Sequence, residues 1–444
     1  MTLLHYFTDP VLRAPVLGCM LMCFASSLVG VIVFLRKESL LGESLSHAAY
    51  PGVILGVIFA GLLNLTEAQE LEIAFFIMLG AFCSALLGLW FIHLLQRKLK
   101  VRSDSALCFV LSCFFGVGIT LSSQVQFMYT SLYRQVQVYL FGQAATMTDI
   151  HILVYGLFTM VIVGTIVFFY KELQLITFDR DYAKSLDVNT TSFDAFIFVL
   201  IVLAVVIGIR SVGVVLMSAM LIAPAASARQ FTNRLYMMFL LASIFGLLSG
   251  FFGVYSSVEL SYYFAKYNSI SHFVVPTGPM IVIVVSCICL FSLLFAPERG
   301  LLWRLIRIGR FRYQCLCENL LKSLWFDGTE REIDLQKQQV LLNIPSYYLS
   351  FILWRFQRNG WVQKTSSNKC YLTKSGMQRA AQIVRLHRLW EVYLADYLGV
   401  GAERVHRSAE EMEHIITPEL EQELTTLLND PKRDPHYQPI PPKV

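Results

Sequence analysis

Glu43 and His47 stand four residues apart in the segment GESLSHAAYPG, Gly42 to Gly52. On a helix they share one face, with Cβ atoms about 6 Å apart. A carboxylate and an imidazole so placed could grip a divalent cation, and ionisable groups within an apolar stretch point to an ion pathway. The plainer reading has Glu43 capping the helix at a membrane interface and His47 making a structural hydrogen bond. A second set lies near the C-terminus. His387 and Glu391 are four apart in HRLWE; Glu410, Glu413 and His414 follow at spacings of three and four, with His406 just before them. Two helices that each present a His and a Glu can enclose one or two divalent cations, although a salt-bridged surface uses the same residues. Oxygen and nitrogen donors suit Mn²⁺ or Fe²⁺, and Zn²⁺ binds them too. No CxxC pair offers a thiolate zinc site.

The elements that must position these groups differ in kind. Of 36 Lys and Arg, 15 precede residue 297 and 21 follow it; of 31 Asp and Glu, 14 precede and 17 follow. The front is therefore charge-poor and apolar and the tail charge-dense, with the boundary near residues 296–302. The front reads as a polytopic bundle of about nine membrane-spanning helices: 16–35, 45–65, 73–95, 105–125, 150–170, 193–209, 211–228, 235–255 and 274–296. Residues 126–148 are expected to form an external or re-entrant segment. Pro51 and Gly52 are expected to weaken the helix beside Glu43 and His47, and Pro224 to break another. With the N-terminus outside, inner loops hold eleven Lys and Arg and outer segments four, as the positive-inside rule requires. Nine spans then place the tail in the cytoplasm. Seven of the ten cysteines sit in apolar stretches, where they behave as small hydrophobes.

The inner loop FDRDYAKSLDV, Phe178 to Val188, is a short mixed-charge stretch that on composition alone reads as a solvated connector. After Pro297, RGLLWRLIRIGRFR carries Arg299, Arg304, Arg307, Arg310 and Arg312, a basic run suited to anionic lipid. Segments 314–326, 335–343 and 346–359 read as three helices, and TSSNKCYLT as the turn of a hairpin. That order describes a winged helix-turn-helix, in which the last helix enters a DNA groove and the wing touches backbone. Tyr347, Tyr348, Ser350 and Arg355 are its candidate DNA contacts; a protein-binding winged helix is the alternative. The fold class is thus mainly α. A membrane bundle (1–297) and a basic juxtamembrane linker (298–313) precede a winged helix-turn-helix (314–375) and a helical metal-binding and dimerisation domain (376–444).

GESLSHAAYPG, FDRDYAKSL and VGVVLMSAMLIAPAASAR, in that order, resemble the ABC-3 family of permeases over about residues 10–297. That family supplies the membrane subunits of manganese, zinc and iron importers. The resemblance implies that Glu43 and His47 bind the transported metal. Glu43 stands where the family commonly has Asp, which keeps the charge on a longer arm. It also implies that Asp179, Asp181, Ala183 and Leu186 belong to the segment that docks on the ATPase. No G-x-x-x-x-G-K-[ST] loop occurs in the chain, so it should not itself be an enzyme. A separate ATP-binding subunit, an external metal-binding protein and a permease dimer in the bacterial inner membrane are the expected partners. An exporter or a secondary carrier is the rival reading.

The tail, over about residues 314–441, resembles metal-dependent repressors related to the diphtheria toxin repressor through HRLWEVYL, VHRSAEEMEH and DPHYQPIP. Carried over by position, His387, Glu391 and His406 match one metal site, and Glu410, Glu413 and His414 another. Glu410 stands where iron-type members have Cys, as in manganese-type members. The ligand that the family's first helix supplies falls at Asn319. This resemblance implies a DNA operator, with Fe²⁺ or Mn²⁺ as effector and Zn²⁺ within reach of the same donors. No third, SH3-like domain is expected. The whole order resembles the permease–repressor fusion of chlamydiae. Because such repressors bind DNA as dimers, release of the tail by proteolysis within 298–320 is one expectation, and a cytoplasmic gate on the transporter that ignores DNA is the other.

Overall fold

The computed structural model describes residues 5–63, 70–128, 130–267, 274–327, 333–334, 339–340, 344–366, 369–399, 401, 409–410 and 412–443. It divides into two compact units, Met1–Arg304 and Leu305–Val444.

The first unit is entirely helical among its described residues. Its helices are α1 His5–Thr8, α2 Pro10–Leu35, α3 Ser39–Leu62, α4 Glu70–Arg97, α5 Ser103–Met128, α6 Thr130–Phe141, α7 Asp149–Phe168, α8 Tyr170–Phe178, α9 Arg180–Ser185, α10 Thr190–Val212, α11 Met217–Phe231, α12 Leu235–Tyr267 and α13 Thr277–Phe295. Eight of them are long and apolar enough to cross a bilayer. The expected span 211–228 is the shorter helix α11, 15 residues behind a turn at 213–216. Counted with the eight, it gives about nine passes. The segment expected to be external or re-entrant holds the 12-residue α6 and a 3₁₀ turn at Ala144–Thr146.

α2, α3 and α10 are mostly buried and form the centre, whereas α4, α5, α7 and α13 turn most of their surface outward. α2 begins earlier than expected, because Asp9 caps it by accepting from the Val11 amide at 2.8 Å and Pro10 occupies the first turn. The break expected at Pro224 does not occur, and the helix expected to weaken at Pro51 is continuous there. α3 runs through Pro51 and α11 through Pro224. α3 packs tightly beside its proline: a Cβ on Gly52 would lie 2.0 Å from the Gly80 carbonyl oxygen. The small face of α11 works similarly, since a Cβ on Gly30 of α2 would lie 1.8 Å from the Leu221 carbonyl oxygen. Ala225, Ser227 and Ala228 are fully buried beside that crossing.

The second unit starts within α14, Leu301–Phe326. The basic run and the helix expected at 314–326 are therefore one continuous helix. The rest comprises β1 Ile333–Asp334, α15 Ser346–Arg358, β2 Val362–Ser366, β3 Lys369–Leu372, α16 Lys374–Asp396 and α17 Pro418–Leu427. Most of the expected helix 335–343 lies outside the described residues. The antiparallel sheet has the order β1–β3–β2, with Val362 opposite Leu372. Leu320, Leu321, Leu324, Leu349, Ile352, Phe356 and Ile383 form the core beneath it. Helix, sheet and wing hairpin in this order are a winged helix, to which α16 and α17 add the helical domain.

Candidate functional site

In the first unit, Glu43 and His47 sit one turn apart on α3, with Glu43 half-buried and His47 buried. The His47 ring meets Phe115 edge-on, with centroids 4.6 Å apart. Its Nδ1 is buried and has no hydrogen-bond partner. An imidazole nitrogen without a partner in an apolar bundle costs free energy unless something else satisfies it. A metal ion would. The surrounding helix is held by side chains that bond backbone across crossings: Ser44 donates to the Leu107 carbonyl at 3.0 Å and Ser84 to that of Ala48 at 2.7 Å.

The loop residues Asp179, Asp181, Ala183 and Leu186 lie on and around α9. Asp179 caps the helix through the Tyr182 amide at 2.9 Å, and Lys184 bonds Asp181 at 3.0 Å. Ala183 is fully buried, while Tyr182 and Leu186 are 55% and 53% exposed. Sequence reasoning missed the residue that anchors this loop. Asp194, near the start of α10, takes Arg36 on one carboxylate oxygen at 2.5 Å and Arg180 on the other. Its side chain is 7% exposed and that of Arg36 10%. A lone acid opening an otherwise apolar span, in SFDAF, was the available signal.

In the second unit the candidate ligands divide. His406 lies outside the described residues. Glu410 is exposed, whereas Glu413 is buried. The expected second helix is brief here: Glu410 is helical, but Glu413 and His414 belong to a turn. Thus Glu413 turns inward to α16, where its carboxylate meets His387 Nδ1 in a very short contact. His387 Nε2 lies 3.1 Å from Glu391. Burial pulls the His387 imidazole down, but Glu391 and Glu413 outweigh it against the opposing charge of Lys322, and the net shift is upward. Burial pushes the Glu413 carboxyl up, but His387 and Lys322 overcome it and hold it below the usual range.

Lys322 is the unexpected member. Reaching in from α14, its Nζ donates to both Glu413 oxygens, at 3.2 and 2.9 Å, and lies 3.0 Å from His387 Nδ1. Beside this cluster, His414 Nδ1 meets Glu318 at 2.6 Å. His414 Nε2 is buried with no hydrogen-bond partner and lies 3.7 Å from Glu413 Oε1. The α14 carboxylate that enters the site is therefore Glu318, one residue before Asn319. Among the described residues, no three His, Cys, Asp or Glu side chains already converge on one cation position. Even so, the donor chemistry fits a divalent ion, and the partnerless His414 nitrogen is aimed at a carboxylate that could share it.

The rest of the tail braces this centre. Arg385 on α16 bonds Glu421 at 3.3 Å and the Pro441 carbonyl at 2.9 Å, and Arg388 pairs with Asp434 at 3.4 Å. The closing DPHYQPIP segment is thereby fastened to the helix that carries His387. On α15, Tyr347 is 76% exposed, Ser350 and Arg355 are exposed and Tyr348 is half-buried. Arg355 lies over the Tyr313 ring, 5.2 Å from its centroid.

Residues 8–296 match the ABC 3 transport family, and residues 373–442 the iron dependent repressor metal binding and dimerisation domain. A probable metal transport system membrane protein of Chlamydia trachomatis serovar D is 34% identical, over 99% of this chain and 98% of its own length. The manganese transport system membrane protein MntC of Bacillus subtilis is 35% identical, over 85% of this chain and 82% of its own length. Among solved structures, PsaBC from Streptococcus pneumoniae in complex with Fab matches with a TM-score of 0.55 and 26% identity, covering 69% of this chain and 97% of that one.

Proposed function

The chain belongs to the ABC 3 transport family and carries a C-terminal iron dependent repressor domain; from that premise we propose that it is the inner-membrane permease subunit of an ATP-driven importer of divalent metal, fused to its own metal-responsive repressor. Glu43 and His47 hold the passing ion, and the observation that carries this is the buried, partnerless His47 nitrogen one helical turn from a carboxylate. ATP is hydrolysed on a separate subunit that docks on α9, around Asp179, Asp181, Ala183 and Leu186. An external binding protein delivers the metal to a permease dimer. The N-terminus lies outside and the tail lies in the cytoplasm.

In the tail, His387, Glu391, Glu413 and His414 would hold the effector metal, together with Glu410, Glu318 and His406. A bound divalent ion would supply a double positive charge to neutralise these carboxylates, which come from α14, α16 and the segment around the turn at 413–415. The N/O donor set favours iron or manganese, with zinc able to bind the same groups. Tyr347, Tyr348, Ser350 and Arg355 then meet operator DNA, and cleavage within 298–320 frees the tail to reach it.

Reconstituted proteoliposomes test the transport half. Uptake of Fe²⁺, Mn²⁺ or Zn²⁺ should require the ATP-binding subunit and ATP and should fail in Glu43→Gln and His47→Ala. Uptake that persists without ATP would point to a secondary carrier. For the tail, metal-dependent and salt-dependent binding to a specific duplex is expected. Metal binding without DNA binding would leave the gate reading.

A further inference from the structure

Lys322 occupies the place where a cation would neutralise the tail's metal site. Its ammonium is buried, sits within hydrogen-bond reach of His387 and of both Glu413 oxygens, and comes from α14, whereas His387 is on α16 and Glu413 in the turn at 413–415. A divalent ion bound through those same atoms lies roughly 2.0–2.2 Å from each donor. Nitrogen and metal would then be closer than two like charges can stay in a site shielded from water. The two cannot share Glu413.

We propose that Lys322 is a tethered competitor cation: it satisfies the site in the metal-free protein, and a divalent metal binds only by driving its side chain out. The displaced lysine keeps its charge and moves by rotating its flexible four-carbon stem. This rests on the reading of His387 and Glu413 as ligands of the effector metal and adds what sets their affinity. It also explains how four buried ionisable groups coexist without metal, since the Lys322 ammonium offsets Glu413 while the His387 ring lies between the Glu391 and Glu413 carboxylates. The site then responds only when free metal is high enough to outcompete an internal cation whose local concentration never changes.

The test uses the full-length chain in lipid nanodiscs, in a His47→Ala background so that the transport position contributes no binding. Mn²⁺ is titrated into metal-free protein and followed by the electron paramagnetic resonance signal of the free ion. Lys322→Gln should bind about tenfold more tightly than its parent, the scale of coupling within one salt-bridge network. Lys322→Arg, which retains a cation, should stay at or below the parent's affinity. Should Lys322→Gln not fold, as judged by size-exclusion elution and thermal unfolding, Lys322→Met is read in its place. Equal or weaker binding by the neutral variant, with binding still abolished by Glu413→Gln, overturns the competitor and leaves the metal site standing. Absence of tail binding in every protein overturns both.

Discussion

Gly52 and Gly80 meet backbone to backbone across the α3–α4 crossing: a Cβ on either would fall 2.0–2.3 Å from the other's carbonyl oxygen. Helices in a membrane gain much of their association from this kind of close approach. Gly52→Ala should therefore force α3 and α4 apart and destabilise the bundle by about 1–3 kcal/mol. Gly116 provides the control, since a Cβ there meets nothing within 4 Å. Thermal unfolding in detergent should show a lower Tm for Gly52→Ala and no change for Gly116→Ala.

Asp194 holds two arginines of unequal burial. Removing it leaves Arg36, whose side chain is 10% exposed, with only the longer 3.8 Å contact to Glu38 as counter-charge. Asp194→Ala should destabilise the bundle by about 3–5 kcal/mol, the cost of stranding one partner of a buried pair. Arg180, at 48% exposed, should matter much less to stability: Arg180→Ala should cost under about 1 kcal/mol. Equal losses in the two variants would show that Asp194 does not discriminate between them.

Tyr182 on α9 and Leu186 just past its end stand out from the loop, while Ala183 between them is buried. An exposed tyrosine is the kind of anchor that carries an interface, and the exposed leucine beside it extends the apolar contact. Leu186→Asp should weaken assembly with the proposed ATP-binding subunit by about 2 kcal/mol or more, without lowering the Tm of the permease alone. Pull-down and ATPase assays on the reconstituted complex read both.

In the metal-free tail, pH acts through His387 and Glu413 with opposite signs. The raised His387 contributes stability that is full below its ordinary value of 6.5 and is lost as pH climbs through its higher folded value. The lowered Glu413 contributes stability present above its ordinary value of 4.5 and lost as pH falls through its lower folded value. Unfolding in EDTA should show greatest stability between those ordinary values, with a loss on the alkaline side that His387→Gln removes. A stability that keeps rising above pH 7 would contradict the assignment.

Much of the architecture was legible because it depends on local pattern. Long apolar runs and breaks in charge density marked the passes, and the order helix, turn and hairpin marked the winged helix. Pro224 misled, since the effect of a proline within a helix depends on neighbours that the local sequence does not contain. Glu413 and His414 were expected on the same helix as Glu410, yet the chain turns between them, so the Glu413 carboxylate is buried and that of Glu410 exposed. Asp194 and Lys322 were missed for a related reason. Their partners lie as far as 158 and 91 residues away in sequence, and no spacing rule reaches across such distances.

α14 runs unbroken from Leu301 to Phe326, while Pro297, Glu298 and Arg299 just before it are exposed and outside any helix. Proteases favour exposed, irregular backbone over folded helix. Under the proposed release, the position of the cut therefore decides the electrical character of the freed fragment. A fragment beginning at Gly300 holds 20 Lys and Arg against 16 Asp and Glu and carries a net charge of +4, whereas one beginning at Gln314 holds 16 of each and is neutral. The four arginines between those points accompany the fragment in the first case and stay behind in the second. Fourteen residues would thus separate a fragment of net charge +4, drawn to any nucleic acid at low salt, from a neutral one that would have to rely on recognising a sequence.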